Sequence, residues 1–139
     1  MTADIALPWL LGALIGSMLF FAVAVAPSVF RALPAEHGGA FLRRLFPQYY
    51  LWGIVMAILC SLAAFYAADR ITLGTCAAVA LLFIYARQSL MPRINRARDA
   101  EMIGKFGSAA RFRRLHLMSV IINGLQWLAL LAVLIRVLV

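Results

Sequence analysis

The sequence predicts an all-α fold: an integral membrane four-helix bundle with both termini outside and two basic cytoplasmic loops. Three observations carry that prediction. The 139 residues are 65% hydrophobic with a mean hydropathy of +0.96, beyond the range of soluble globular chains. Four windows, Ile5–Phe30, Leu45–Ala68, Ile71–Ala86 and Leu115–Ile135, contain no charged side chain. Of thirteen basic residues, all but Arg70 and Arg136 fall between windows one and two or between windows three and four, or at their edges.

A hydrocarbon layer of about 30 Å is crossed by about 20 helical residues. The windows therefore predict helices over approximately 5–30, 46–68, 71–91 and 115–138 in one transmembrane domain, 1–139, with a cytoplasmic segment over 92–114. The first window resembles a signal peptide only superficially. It is too long for an h-region, no basic segment precedes it and no A-x-A site closes it, so it is read as a retained helix. Its Gly12-x-x-x-Gly16 is a close-packing pattern, since lipid supplies no hydrophobic drive between helices. The expected contact is inside the bundle, with a seam between two copies as the alternative. Pro27 is expected to kink the helix near its inner end.

The first basic loop, Arg31 to Arg44, holds Pro34, His37, Gly38 and Gly39 and is expected to include a short interfacial helix near 40–45. Helix two is expected to open at Pro47, because a first-turn proline gives up no hydrogen bond. Tyr49, Tyr50 and Trp52 then read as an aromatic belt at headgroup depth. The turn at Asp69–Arg70 makes helices two and three an antiparallel hairpin. The third window is about 24 Å long, so its helix must continue through Arg87, Gln88, Ser89 and Leu90 towards Pro92. The second basic segment is expected to form helical extensions that break near Gly104–Gly107 and lie partly on the bilayer surface. Cys60 and Cys76 fall inside helices and read as buried thiols.

The charge asymmetry predicts the orientation, with both loops cytoplasmic in a bacterial inner membrane. Arg31, Arg43, Arg44, Arg93, Arg96, Arg98, Lys105, Arg111, Arg113 and Arg114 are then expected to contact anionic lipid headgroups or a protein partner. No nucleic-acid partner is expected.

The sharpest polar constellation lies on helix four. His116, Ser119, Asn123 and Gln126 recur at spacings of three, four and three, within a sector of about 80°. Polar groups in hydrocarbon need partners, so this stripe is expected to face inwards. Gln48, Tyr49, Tyr85, Arg87 and Gln88 are the candidate partners at matching depth. The set reads either as a polar pocket that binds a ligand or passes a proton, or as hydrogen-bonded glue between helices. A haem or copper site would need more than His116 in the spans. Met18, Met56, Cys60 and Cys76 are soft ligands without ligand-type spacing. No cofactor or metal is therefore expected. None of the five carboxylates, Asp4, Glu36, Asp69, Asp99 and Glu101, lies in a span. Paired acid–base carboxylates, H-E-x-x-H and phosphate-cradling glycine loops are absent from the sequence, so no catalytic residue and no enzyme activity is expected.

Four motifs in order, Phe30-Arg31-x-Leu33-Pro34, Leu45-Phe46-Pro47-x-Tyr49, Ala86-Arg87 with Pro92-Arg93, and Phe112-x-x-x-His116-x-x-Ser119-x-x-x-Asn123, resemble the transmembrane protein 205-like family. Its bacterial members are catalogued as a domain of unknown function. The resemblance implies a four-helix membrane protein without an established reaction. It also implies a link to drug or metal resistance, since a eukaryotic member is tied to platinum-drug resistance through proposed export or trafficking. This chain departs from that member in having Met91 before the proline–arginine pair and a shorter second loop. Three functions stay open: a binding or transport-type protein with a pocket around His116, acting as a homo-oligomer if it transports; a structural or assembly protein whose basic loop docks a partner or lipid; and a haem or copper protein.

Overall fold

The computed structural model describes residues 2–139, with side chains from residue 5 onwards, and is helical almost throughout. Helix α1 (Thr2–Phe20) passes through a π-turn at Phe21–Val25 into α2 (Ala26–Ala32). Helix α3 (Ala35–Tyr66) is followed by α4 (Arg70–Tyr85), a second π-turn at Ala86–Leu90, and α5 (Met91–Met102). Helix α6 (Ser108–Leu138) completes the chain. The resulting four rods are each long and apolar enough to cross a membrane. Rods adjacent in sequence are adjacent in space, and α6 closes the ring by packing against both α1 and α4. The bundle therefore runs up-down-up-down, with α3 and α6 at opposite corners. Leu7, Asp69, Arg136 and Val137 line one cleft, so both chain ends and the 67–69 turn share one end of the bundle.

Several helix bounds differ from those expected. Residues 35–39 are helical rather than loop, the helix expected near 40–45 is continuous with helix two, and Pro47 lies inside α3 instead of opening it. Only Leu33 and Pro34 separate α2 from α3, because Pro34 and its extended predecessor stop one helix and start the next. Rods three and four reach to 102 and from 108, so the segment 92–114 is mostly helix. The break there falls where expected. Gly104 and Gly107 adopt φ of 71° and 75°, a region glycine enters without steric cost. Both π-turns end just before a proline, Pro27 or Pro92. A proline cannot donate to the preceding turn, and a one-residue widening absorbs its ring where a straight helix would clash.

Packing follows residue size. On α3 the buried residues Gly53, Ala57, Cys60 and Ala64 form a small-residue stripe against buried Thr72, Cys76, Ala80 and Phe83 of α4. Small side chains let two backbones approach closely, the main source of helix association in lipid. Cys60 and Cys76 are free, buried thiols at this seam. Helix α1 buries Leu7, Leu11, Leu14, Ile15 and Met18. That face leaves Gly12 and Gly16 on the opposite side, exposed, with open space where a Cβ would stand. The expected intramolecular role of these glycines is thus corrected: the bulkier i, i+4, i+7 stripe takes the core. Most outward residues are large and apolar, among them Leu51, Leu62, Leu81, Leu117, Ile121 and Leu128.

Candidate functional site

At the loop end of the bundle interior, five rings pack together. Phe21 stacks on Tyr49 with centroids 4.2 Å apart, and Phe46 lies 5.7 Å from Tyr50. Phe83 meets Tyr49 edge-on at 6.2 Å and Tyr50 at 6.3 Å. Such pairs add about 0.5–1.5 kcal/mol each beyond the area they bury. They also fix the two phenols in space. Phe21 is the first residue of the π-turn at Phe21–Val25.

From the cluster the phenols cross the bundle. Asn123 Nδ2 donates to Tyr49 Oη at 3.1 Å, and Tyr50 Oη lies 3.5 Å from Ser119 Oγ. Tyr49 and Tyr50 stand on α3, Ser119 and Asn123 on α6, the two helices at opposite corners. Long aromatic side chains thus bridge a span that the helix backbones do not. One face of this layer is sealed by Gln126, which is 2% exposed and donates through Nε2 to the Val79 carbonyl of α4 at 3.1 Å. On the loop side, Arg87 in the second π-turn donates through Nε to the Pro47 carbonyl at 3.3 Å.

Of the expected site residues, Ser119, Asn123, Gln126 and Tyr49 do turn inwards, and Arg87 joins from the rim. His116 does not. Its ring is exposed and stacks on Phe112 at 5.8 Å, within two residues of Arg114. It occupies one edge of the polar sector and is exposed there, away from the interior partners. Gln48, Tyr85 and Gln88 are also exposed. Two open clefts among the described residues are lined by none of Tyr49, Tyr50, Ser119 and Asn123. One of about 580 Å³ opens at the terminal end beside Asp69 and Arg136. A groove of about 430 Å³ runs between α4 and α6, with Gln126 among its lining residues. The belt expected of Tyr49, Tyr50 and Trp52 is corrected for the two tyrosines, while Trp52 does stand exposed. Tyr50 is 5% exposed, while Trp52 Nε1 donates sideways to Ser17 Oγ of α1 at 3.0 Å. The sequence reading does not place Tyr50, Phe21, Phe46 or Phe83 at the site. The one available signal was position: Tyr50 precedes Gly53 and Ala57 by three and seven residues, on the face that packs against α4.

At the loop end, Arg43 pairs with Asp99 at 2.7 Å and Arg98 with Glu101 at 2.8 Å, Arg98 also covering the Phe112 ring at 5.3 Å. Arg96 donates to the Pro92 carbonyl at 3.3 Å. Arg31, Arg44, Arg93, Lys105, Arg111, Arg113 and Arg114 are exposed, and no salt bridge found among the described residues includes them.

A family model described as a domain of unknown function, DUF4149, matches residues 9–102. The chain belongs to this family. The match takes in both π-turns, the aromatic cluster and Arg87, and stops short of Ser119 and Asn123 on α6. No curated protein and no solved structure matches the chain.

Proposed function

We propose that this DUF4149 protein is a non-enzymatic, multi-pass membrane protein of binding or transport type, in which the Tyr49–Asn123 and Tyr50–Ser119 layer holds or gates a small polar ligand. The crossing itself carries this reading. In lipid, helices are fastened most cheaply between neighbours through small residues, as α3 and α4 are here. A tie between opposite corners is a poorer fastener. It does, however, place two phenols, an amide and a hydroxyl in one interior layer, each with hydrogen-bonding capacity beyond its present bond. The flanking π-turns support the same reading, since such turns concentrate at functional sites.

The positive-inside rule orients the loop end to the cytoplasm and both termini outside, in a bacterial inner membrane. The likeness to the transmembrane protein 205-like family, with its link to drug or metal resistance, belongs to this proposal. So does a homo-oligomer meeting at the exposed Gly12 and Gly16. A second reading, a structural or assembly protein, is favoured by one fact: Tyr49 and Asn123 are already hydrogen-bonded to each other. In that case the basic loop end is the working surface, docking anionic lipid or a protein partner.

Native mass spectrometry of the purified protein separates the readings. The ligand reading expects a small polar molecule retained by the wild type and absent from a folded Asn123→Leu variant. If neither carries one and Asn123→Leu only melts earlier, the structural reading stands.

A further inference from the structure

We propose that Arg87 is an anion-binding residue, holding a phosphate group of the kind carried by an acidic phospholipid or by a free phosphate-bearing solute. The inference rests on the membrane placement proposed above but not on the Tyr49–Asn123 layer.

Arg87 lies 17 residues beyond Arg70 along one rod, about 26 Å at 1.5 Å per residue, short of the far edge of a hydrocarbon layer of about 30 Å. An arginine at that depth keeps its charge and is costly unless something compensates it. None of the salt bridges found among the described residues includes Arg87. Of the other carboxylates, Asp99 is engaged by Arg43 and Glu101 by Arg98, Glu36 stands exposed in the first turn of α3, 11 residues or about 16 Å along the helix from Pro47, and Asp69 is at the opposite end. With no carboxylate paired to Arg87 among the described residues, an anion from outside the chain supplies the counter-charge in this proposal.

The geometry also points to a planar oxyanion. Arg87 is half-buried, and its one bond, from Nε to the Pro47 carbonyl, fixes the guanidinium plane. The Nη groups are left as a fork, and that fork matches two oxygens of a phosphate. Arg44 precedes Pro47 by three residues, so it lies on the same face of α3, one turn nearer the basic end. A headgroup seated at Arg87 meets this second cation on its way in.

The test measures thermal stabilisation and native-mass retention in neutral detergent, with phosphatidylglycerol, phosphatidylcholine or inorganic phosphate added separately. Wild-type protein is expected to retain phosphatidylglycerol at least about tenfold more strongly than phosphatidylcholine, and Arg87→Gln to lose that preference. Arg70→Gln, at the opposite end of the bundle, is expected to keep it. Stabilisation by inorganic phosphate at millimolar level, without a lipid preference, assigns the same site to a soluble solute. Arg87→Lys, which keeps the charge but not the fork, is expected to bind in between and guards against a misfolded glutamine variant. Equal retention of both lipids with no response to phosphate overturns the proposal. So does a preference that survives in Arg87→Gln. Because Asn123→Leu leaves Arg87 intact, loss of the ligand layer and loss of the anion site are read separately.

Discussion

Gly53→Ala is expected to destabilise the bundle by about 1–3 kcal/mol, the usual cost of overpacking a closed core. A Cβ at position 53 would stand 2.7–2.8 Å from Cζ, Cε1 and Cε2 of Phe83. No real contact is that short, so the ring must move. It has nowhere to go, being 0% exposed and held between Tyr49 and Tyr50. In an exposed helix the same change would stabilise by about 1 kcal/mol, because alanine is the better helix former. The sign of the effect therefore reports the close approach of α3 and α4. Unfolding in mixed detergent micelles measures it. Phe83→Leu in the same chain is expected to recover part of the loss, and a Gly53→Ala variant as stable as wild type would mean the seam is looser than described.

The second large effect is at the terminal end. Asp69 caps α4 by accepting from the Thr72 amide at 3.1 Å and from Thr72 Oγ1 at 2.6 Å, and it pairs with Arg136 of α6. Arg136 also donates to Thr72 Oγ1 at 2.9 Å, so three side chains tie the α3–α4 turn to the last helix. Burial pushes the Asp69 carboxyl upwards, but the Thr72 hydroxyl, the Thr72 amide and the Arg136 guanidinium outweigh it and hold the group below its ordinary value. The sign follows from linkage. A carboxyl depressed by folding contributes fully above its unfolded pKa of about 3.9, and that contribution is lost as pH falls through the folded value. Asp69→Ala is expected to cost about 1–2 kcal/mol at neutral pH from the lost cap alone. Wild-type melting temperature should fall as pH drops below about 4, while Asp69→Asn, with no carboxyl to titrate, should follow a flatter curve. Asp69→Ser separates the two roles by keeping a capping oxygen without the charge. If wild type and Asp69→Asn trace parallel curves through the acid range, the tie to Arg136 contributes nothing.

The long-range pattern of this fold is legible in the sequence because lipid makes hydropathy nearly decisive. Four charge-free windows become four rods, Asp69–Arg70 marks the hairpin turn, and the glycines at 104 and 107 mark the break. Helix ends are less legible. Residues 35–45 are rich in charge and glycine yet helical, and Pro47 reads as a start signal although it sits mid-helix. Local propensity is a weak prior beside tertiary packing: Gly38 and Leu42 in this stretch are buried.

The site was half legible for a related reason. Helical spacing collects His116, Ser119, Asn123 and Gln126 on one sector but does not locate its centre. Leu130 and Val133, both buried, show that the inward direction runs closer to Gln126, which leaves His116 at the margin beside Arg114. For Gly12 and Gly16 the spacing carries no direction, and Leu7, Leu11 and Leu14 take the core with greater apolar area. The tyrosines were ambiguous for the opposite reason. Amphipathic rings suit a headgroup belt and an interior layer equally well, and only their partners on α6 decide between the two.

A double-mutant cycle on Tyr49→Phe and Asn123→Leu, read by unfolding in mixed micelles, tests the interior tie most directly. If the phenol and the amide meet across opposite corners of the bundle, each single change lowers stability, and the double change costs less than the sum by about 0.6–1.7 kcal/mol. Strictly additive losses would place the two groups out of contact, and the polar layer across the bundle would not exist.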